Sequence, residues 1–297
     1  MTIGRKRQIQ ASQSDRVFYA INTLLLLITF LIVAYPIYFV IIASVSNPLA
    51  VNSGQVILAP VGFTLDGYEK ILAFDRIWLG YRNTIFYVIL GTAIAVVLTV
   101  SLAYPLSRKD FRMRNPLMAM VAFTMFFGGG MIPTYLLVTN LGLYNSRWVM
   151  IIPSLLSTYN VMVCRSAFSG IPEEVIESAE IDGSNDFQTF FRIAVRLITP
   201  TLAVLTLYYA VAHWNDFFTA LLYISDESLM PMQVLLRRVL IQSSSELIGN
   251  MVTDDKAAAS IQIRYVTIVV ATLPILVIYP LLQRYFVKGV MLGAVKG

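Results

Sequence analysis

Long uncharged apolar runs dominate the chain, and they predict several membrane-crossing helices. A helix needs about 20 mainly apolar residues to cross the hydrocarbon core of a bilayer. The first run follows Arg16; it is too long for the apolar region of a signal peptide, and no small-residue cleavage site follows it. The fourth run is short and contains Pro153. Six spans are predicted, at about 17–45, 83–107, 115–137, 148–164, 200–224 and 265–284.

The positions of the basic residues predict the orientation of these spans. Lysine and arginine concentrate in the cytoplasmic loops of membrane proteins. The short loop "RKDFRMRN" after the second span is far more basic than "NLGLYNSR" after the third. We therefore expect both tails, 1–16 and 285–297, and the loop 165–199 to be cytoplasmic, and the loops 46–82 and 225–264 to be exoplasmic. The prediction is an all-α integral membrane protein with one six-span domain, 17–284.

Composition supports this class and excludes several others. The chain is 57% hydrophobic and 13% charged, whereas soluble domains contain about 25% charged residues. Although the net charge is +5, the bases are scattered at the ends of apolar runs, so we expect no nucleic-acid surface. The single cysteine, Cys164, excludes an internal disulfide. His213 is the only histidine, and no phosphate-binding glycine loop with its lysine occurs. We predict no enzyme activity, metal site or cofactor in this chain.

One acid-rich stretch, "EEVIESAEIDGSNDFQTFFRIAVRLITP", interrupts the apolar pattern between the fourth and fifth spans. Its first half predicts a short helix: Pro172 suits the first helical position, and Glu173 and Glu174 suit the positive end of the helix dipole. Gly183 suits the position just past the end, which often needs a left-handed backbone. The sequence therefore predicts a capped helix and a glycine turn.

The second half of this stretch predicts another short helix. Ser184 or Asn185 can cap it, and Asp186 falls in its first turn. Four apolar residues follow at helical spacing and predict a buried stripe, namely Phe187, Phe190, Phe191 and Ala194. The spacing alone is also compatible with a plain helical connector. Because the segment is long and rigid, we favour a device that docks into a groove on another protein.

This stretch resembles the EAA signature of the ATP-binding-cassette (ABC) importer permeases. Glu177, Ala179, Gly183 and Ile193 match that signature, and Asp182 supplies its frequent Asp-Gly pair. Three positions depart from it: Ser178 replaces the middle alanine, Val195 replaces a leucine, and Arg196 stands where a proline is expected, with Pro200 four residues later. The stretches "FFGGGMIPTYLLVTNLGLYNSRW", "FSGIPEEVIESAEIDG" and "WNDFFTALLY" resemble the carbohydrate-uptake branch, which includes the MalG-like and LplC/YtcP-like subunits.

The resemblance implies a type I ABC importer permease fold (MetI-like) in a bacterial cell membrane, crossed several times and surrounded by lipid. It also implies alternating access, driven by two ABC ATPase subunits that bind ATP and Mg. The coupling residues implied are Glu177, Ser178, Ala179, Asp182 and Gly183. A second permease subunit of similar fold would complete a heterodimer, and an extracytoplasmic solute-binding protein would dock on the outer loops. The implied cargo is a carbohydrate, in particular an oligosaccharide.

A few polar or irregular positions within the predicted spans are candidates for the substrate pathway. Gly129 lies in a glycine run that weakens a helix, which favours either close packing or a cavity lining. In the fifth span, Trp214, Asn215 and Asp216 combine an aromatic face with an amide and a carboxylate, as sugar recognition requires. Trp214 is equally compatible with an interfacial aromatic belt. Asn160 is a further candidate, together with Tyr159.

Two other functions remain open at this point. A secondary transporter or channel would work without ATP, but it would favour internal repeats and several titratable groups inside the spans, and Asp216 is the only ionisable residue predicted well inside one. An ABC importer permease for a non-sugar solute would carry a similar acidic loop. Co-purification with ATPases distinguishes the first alternative, and transport assays distinguish the second.

Overall fold

The computed structural model describes residues 13–241 and 260–277, and helices account for most of them. We number the helices in chain order. They are α1 (Gln13–Ser44), α2 (Pro48–Asn52), α3 (Asp66–Leu72), α4 (Asp75–Ser107), α5 (Arg114–Phe126), α6 (Met131–Asn140), α7 (Thr158–Ser169), α8 (Glu173–Ile181), α9 (Asp186–Gln188), α10 (Val195–Leu197), α11 (Thr199–Asn215), α12 (Phe218–Tyr223), α13 (Met232–Ile241) and α14 (Ser260–Val277). Short 3₁₀ turns cover Arg147–Met150, Ile152–Ser154 and Glu227–Leu229, and a π-helix covers Thr189–Ala194.

Helix length and hydropathy agree with a membrane protein. Among the described residues, α1, α4 and α14 are each long and apolar enough to cross a bilayer. Two bent pairs, α5 with α6 and α9–α10 with α11, raise the number to five if each pair is one span. The all-α class is thereby confirmed, while the six span limits remain predictions. The tail 285–297 and parts of 1–16, 225–264 and 265–284 lie outside the described residues.

The chain divides into two compact units. In the first, which includes residues 13–70 and 260–269, the last turn of α1 packs on α2 through Ile42, Ala43 and Val51, with Phe39 and Tyr265 at the edge of this cluster. The rest of α1 is exposed along most of its length. An exposed helix with so few polar residues is unstable in water and is typical of a lipid or subunit contact.

The second unit is organised around α4, whose buried face carries small residues at four-residue spacing. Gly91, Ala95, Thr99 and Ala103 are all buried. Small residues at this spacing allow helix backbones to approach closely within a membrane. A Cβ atom at Gly91 would lie only 2.5 Å from Nε2 of His213 on α11, so the α4–α11 contact depends on the missing side chain.

A buried tyrosine joins three helices of this unit. The Tyr209 hydroxyl on α11 shares a hydrogen bond of 2.7 Å with the Thr99 hydroxyl on α4. The backbone N–H of Ser157, just before α7, donates to the same Tyr209 oxygen at 3.1 Å. Both side chains are buried. A buried hydroxyl group without a partner would cost free energy. These shared hydrogen bonds therefore hold the start of α7 against α4 and α11.

The far end of α4 holds the segment 224–232 in place. Asn83 donates to the carbonyl groups of Ser228 and Met230 at 2.8 and 3.1 Å, and the Tyr87 hydroxyl donates to that of Leu229 at 2.7 Å. The backbone N–H of Met232 donates to Thr84 at 2.9 Å. Two arginines, Arg76 and Arg238, pair with Glu227 at 3.1 and 2.8 Å. The segment is therefore tied to α4 by backbone and side-chain contacts together.

Three of the predicted spans are interrupted helices in the structure. The third bends by 113° between α5 and α6, at the glycine run. The fourth contains two 3₁₀ turns, and its α-helix starts only at Thr158, since Pro153 and the Ser157 cap delay it. The fifth ends its regular helix at Asn215 and continues as α12 after two residues. Uncharged runs predict apolar segments, but the helix breaks depend on glycine, proline and capping residues within them.

Candidate functional site

The acid-rich segment forms a compact helical element, which we call the acidic element (residues 173–197). The predicted glycine turn is present: Asp182 caps α8, and Gly183 follows with φ of +85°. Nothing lies within 4 Å of a Cβ atom built on Gly183. The glycine is therefore required by its left-handed backbone rather than by lack of space. Pro172 was predicted as the first helical residue, but it occupies the cap position and the helix begins at Glu173.

The second helix begins with a complete capping box. The Asn185 side chain accepts from the N–H of Gln188 at 2.9 Å, and the Gln188 side chain accepts from the N–H of Asn185 at 3.3 Å. Of the two predicted caps, the structure uses Asn185. This arrangement satisfies backbone donors at the helix start without help from another element.

The predicted apolar stripe is only partly correct, because the chain forms a π-helix at Thr189–Ala194. Phe190 and Ala194 pack into a core cluster with Phe168 and Cys164. Phe187 and Phe191, in contrast, are exposed, Phe187 at 76%. A π-turn holds more residues than an α-turn, so it changes which side chains share a face. Two large aromatic side chains of this polar element are thereby left uncovered.

Two ion pairs attach α8 to the loop that follows α4. Lys109 Nζ lies 2.6 Å from Glu173, and Arg108 lies 4.0 Å from Glu180 and 3.3 Å from Asp110. The hydrogen bond from Lys109 and its positive charge hold the pKa of Glu173 below its ordinary value. The Arg165 guanidinium also donates to the Leu106 carbonyl group at 2.8 Å, which fixes the end of α4 against α7.

We expect charge reversal at Lys109 to loosen the start of α8. Lys109→Glu should speed deuterium exchange of the α8 amides, and the double variant Lys109→Glu/Glu173→Lys should restore wild-type exchange. Since the pKa of Glu173 is lowered, the pair stabilises the folded element above the ordinary glutamate pKa, about 4.3, and loses this contribution as the pH falls through the lower folded value. Equal exchange in the single and double variants would contradict the pairing.

The outward face of α8 carries the groups that are free to meet another molecule. Glu177, Ser178 and Ile181 are exposed, Ile181 at 86%. Among the described residues, Glu177 has no ion-pair partner, unlike Glu173 and Glu180 on the same helix. The Ser178 hydroxyl donates to the Glu174 carbonyl group at 2.7 Å, so its replacement of alanine adds no unpaired donor.

The remaining predicted coupling residues have different surroundings. Ala179 is buried and faces the interior together with Ile176. Asp182 is exposed at the end of α8. Beside the second helix lies a cleft of about 500 Å³, which ends at the turn after α4. Its walls combine aromatic and charged side chains, among them Arg108, Phe111, Asp186, Phe187 and Phe191.

The backbone near Arg196 bends without a proline at that position. The chain bends by 79° between residues 186–197 and α11, and the break falls at Ile198. Pro200 occupies the first turn of α11, where its missing N–H is not needed. A proline at position 196 is therefore not required for the bend. The Arg196 side chain itself is exposed, and the structure does not explain the choice of arginine.

The predicted pathway residues do not form one cluster. Trp214 and Asn160 are buried, at 6% and 5% exposure. Asn215 is exposed, and its amide donates to the Val211 carbonyl group of its own helix. Asp216 follows the last residue of α11 and accepts from the N–H of Thr219 at 3.1 Å, so it satisfies a backbone donor in the first turn of α12. Gly129 is exposed in the break between α5 and α6. Their role in transport remains a prediction.

Comparisons with known proteins agree with the architecture described above. Two relatives come from Bacillus subtilis (strain 168). The polygalacturonan/rhamnogalacturonan transport system permease protein YtcP is 42% identical over 274 residues, 92% of this chain and 96% of that protein. Protein LplC is 37% identical over 286 residues, 96% and 97% of the two chains.

A solved structure gives the same result for the fold. A chain of a bacterial ABC transporter involved in the import of the acidic polysaccharide alginate has a TM-score of 0.84 and 33% identity, over 93% of this chain and 98% of that chain. The family model described as the inner membrane component of binding-protein-dependent transport systems matches residues 11–292. This protein therefore belongs to the family of binding-protein-dependent transport system inner membrane components, as a membrane-embedded transport subunit.

Proposed function

We propose that this chain is one of two permease subunits of an ATP-driven importer that takes up an oligosaccharide across a bacterial cell membrane. YtcP is named for polygalacturonan and rhamnogalacturonan transport, AraQ of Halalkalibacterium halodurans for arabinooligosaccharides, and the solved relative for alginate import. These names share a sugar polymer or its fragments as cargo. The family name supports a solute-binding protein that delivers it. In this proposal the chain crosses the membrane six times with both ends in the cytoplasm.

The observation that carries the coupling part of the proposal is the outward face of the acidic element. Its exposed apolar side chains, Ile181, Phe187 and Phe191, stand among carboxylates on a segment too polar for lipid. Exposed apolar groups rimmed by polar ones are typical of protein interaction sites. An ATPase subunit is the partner that supplies the missing energy source, because this sequence has no phosphate-binding loop. ATP and Mg²⁺ bind to that partner.

In this mechanism α8 enters a groove on the ATPase with Ile181 as its apolar contact. The Glu177 carboxylate, which has no ion-pair partner within the described part of the chain, meets a positive group or helix N-terminus there. Ion pairs through Lys109 and Arg108 transmit displacement of α8 to the end of α4. Because Ala179 faces the interior, it keeps α8 close to its own protein instead of contacting the ATPase.

The proposal is tested by reconstitution of the whole transporter. The chain is co-expressed with its second permease subunit, the ATPase and the binding protein, and the complex is placed in proteoliposomes. We expect uptake of labelled galacturonic acid oligomers or arabino-oligosaccharides only with ATP on the ATPase side and binding protein on the other. Uptake without ATP would refute the energy source, and uptake of amino acids but no oligosaccharide would refute the cargo.

A further inference from the structure

Three helices of the second unit bring a set of aromatic and hydroxyl side chains together. We call Phe123, Thr124, Phe127, Thr158, Tyr159 and Tyr208 the mid-membrane strip. The rings of Phe123 and Phe127 are stacked with centroids 4.2 Å apart and planes at 13°. The Thr124 and Thr158 hydroxyls lie 3.2 Å apart, which joins α5 to α7. The rings of Tyr159 and Tyr208 lie 6.2 Å apart, which joins α7 to α11.

The helix ends predicted to be cytoplasmic place the members of the strip at similar depth. Thr124 is ten residues from the start of α5, Tyr159 is ten residues from the end of α7, and Tyr208 is nine residues from the start of α11. At 1.5 Å per residue, these separations are about 15, 15 and 14 Å. All three helix ends belong to the side of the membrane predicted to be cytoplasmic. Half of a hydrocarbon core of about 30 Å places the strip near the bilayer midplane.

Lipid is an unsuitable neighbour for this surface. Next to Phe127 the helix stops, and Gly128, Gly129 and Gly130 are exposed. Among the described residues, no hydrogen-bond acceptor is found for the N–H groups of these three glycines. Exposed irregular backbone is tolerated at membrane depth only where it lines a water-filled cavity or is covered by protein. The exposed Tyr159 and Asn215 side chains, the latter two turns beyond Tyr208 on α11, add polar surface, although the Asn215 amide is bonded to Val211 and the Tyr159 hydroxyl to Tyr208.

The chemistry of the strip matches one class of ligand. A pyranose ring presents C–H groups on its faces and hydroxyl groups around its edge. The stacked Phe123–Phe127 pair, Phe123 at 56% and Phe127 at 65% exposure, offers flat apolar surface, and Tyr159 offers another. The tyrosine and threonine hydroxyls stand beside these rings. An apolar surface with a few convergent polar groups is the usual composition of a small-molecule site.

We infer that the mid-membrane strip is a carbohydrate-contacting surface of this subunit, along which successive sugar rings of the oligosaccharide pass on the aromatic faces. This inference rests on the proposed function and names the residues that carry it within this chain. The strip residues, rather than the buried Trp214 and Asn160, contact the sugar. Asn215 and the glycine break lie beside the path of the oligosaccharide. The strip contains no charged side chain, so it binds sugar rings rather than their carboxylates.

Cysteine accessibility tests the water-filled cavity. Cys164 is the only native cysteine and is fully buried, so the natural chain already provides a low background. Phe127→Cys, Tyr159→Cys and Tyr208→Cys are made in the complete transporter and treated with a membrane-impermeant thiol reagent. Phe30→Cys on α1 is the matched control, since Phe30 is 66% exposed on a helix with few polar residues. We expect labelling of the strip cysteines but not of the control. Strip cysteines as unreactive as Phe30→Cys would overturn the inference.

Ligand protection and kinetics test the carbohydrate. Galacturonic acid oligomers that wild-type vesicles take up should slow labelling of the strip cysteines in turnover conditions. Tyr159→Ala should raise the KM for these oligomers about three- to ten-fold, the effect of one aromatic contact, and Tyr159→Phe, which keeps the ring and loses only the hydroxyl, should raise it less. Labelling that the oligomers do not slow, with an unchanged KM for Tyr159→Ala, would show a wet surface without sugar contact and would overturn the inference. If wild-type vesicles take up no oligosaccharide, the proposed function fails first and the inference falls with it.

Discussion

Glu177→Lys is expected to abolish ATP-driven uptake while the permease still folds and reaches the membrane. Glu177 is exposed on α8 and has no ion-pair partner among the described residues, so its removal breaks no internal contact. In the proposed complex its carboxylate meets a positive group of the ATPase. Loss of one member of a buried interfacial charge pair costs about 2–5 kcal/mol, and reversal adds repulsion. ATPase affinity should therefore fall on the order of a hundred-fold or more.

The measurement is co-purification of the ATPase with tagged permease, together with uptake in proteoliposomes. Glu69→Lys on α3 is a suitable control, because it reverses the charge of another exposed glutamate on the predicted outer side. Glu69→Lys should retain the ATPase. Ile181→Asp should behave like Glu177→Lys, since it removes the apolar contact of the same face. If Glu177→Lys retained both ATPase and uptake, α8 would not be the docking helix.

The second large effect is expected at Gly91, where any side chain collides with His213. A Cβ atom there would lie 2.5 Å from Nε2 and 2.7 Å from Cε1 of the imidazole, and His213 is itself buried. Relief requires the buried imidazole to move or α4 and α11 to separate, and separation also strains the hydrogen bond between Thr99 and Tyr209 two turns away. Overpacking of a tight contact costs about 1–3 kcal/mol and more for a large side chain, so Gly91→Leu should prevent stable assembly.

A compensating substitution separates this clash from other causes of misfolding. His213 Nε2 has no hydrogen-bond partner among the described residues, so His213→Ala gives up no bond at that atom and opens space opposite position 91. Thermal unfolding of the detergent-purified protein should show Gly91→Ala strongly destabilised and the double variant Gly91→Ala/His213→Ala partly restored. Gly128→Leu is the control, since nothing lies within 4 Å of a Cβ atom there. Equal melting temperatures for Gly91→Ala and the wild type would refute the close packing.

Local signals in the sequence were sufficient for the turn and the cap of the acidic element. The Gly183 turn and the Asn185 cap are decided by residues within a few positions of each other, and both are present. The stripe of Phe187 and Phe191 was predicted wrongly because hydrophobic spacing assumes 3.6 residues per turn, whereas the structure inserts a π-helix. No propensity rule distinguishes that turn from an α-turn in this sequence.

Contacts between distant positions were not predictable from one sequence. The Thr99–Tyr209 hydrogen bond joins residues 110 apart, and Thr124 meets Thr158 across a helix break. A serine, threonine or tyrosine in an apolar run has no periodicity that reveals its partner. The family resemblance predicted the fold, which is confirmed, and a coupling role for the acidic loop, which stays a prediction; the exposed Ile181 and the mid-membrane strip are found only when the helices are placed together.

The attachments at the two ends of α4 have a mechanical consequence. This helix is 33 residues long, or about 50 Å at 1.5 Å per residue, and its one internal proline, Pro105, lies in the last turn. One end is bound to α8 through Arg108 and Lys109, and the other carries the segment 224–232 through Asn83, Thr84 and Tyr87. α4 is therefore one continuous stiff element that joins α8 to the segment 224–232. Under the proposed mechanism, a displacement of α8 by an ATPase would be carried along α4 to the opposite side of the membrane without a hinge between the two ends.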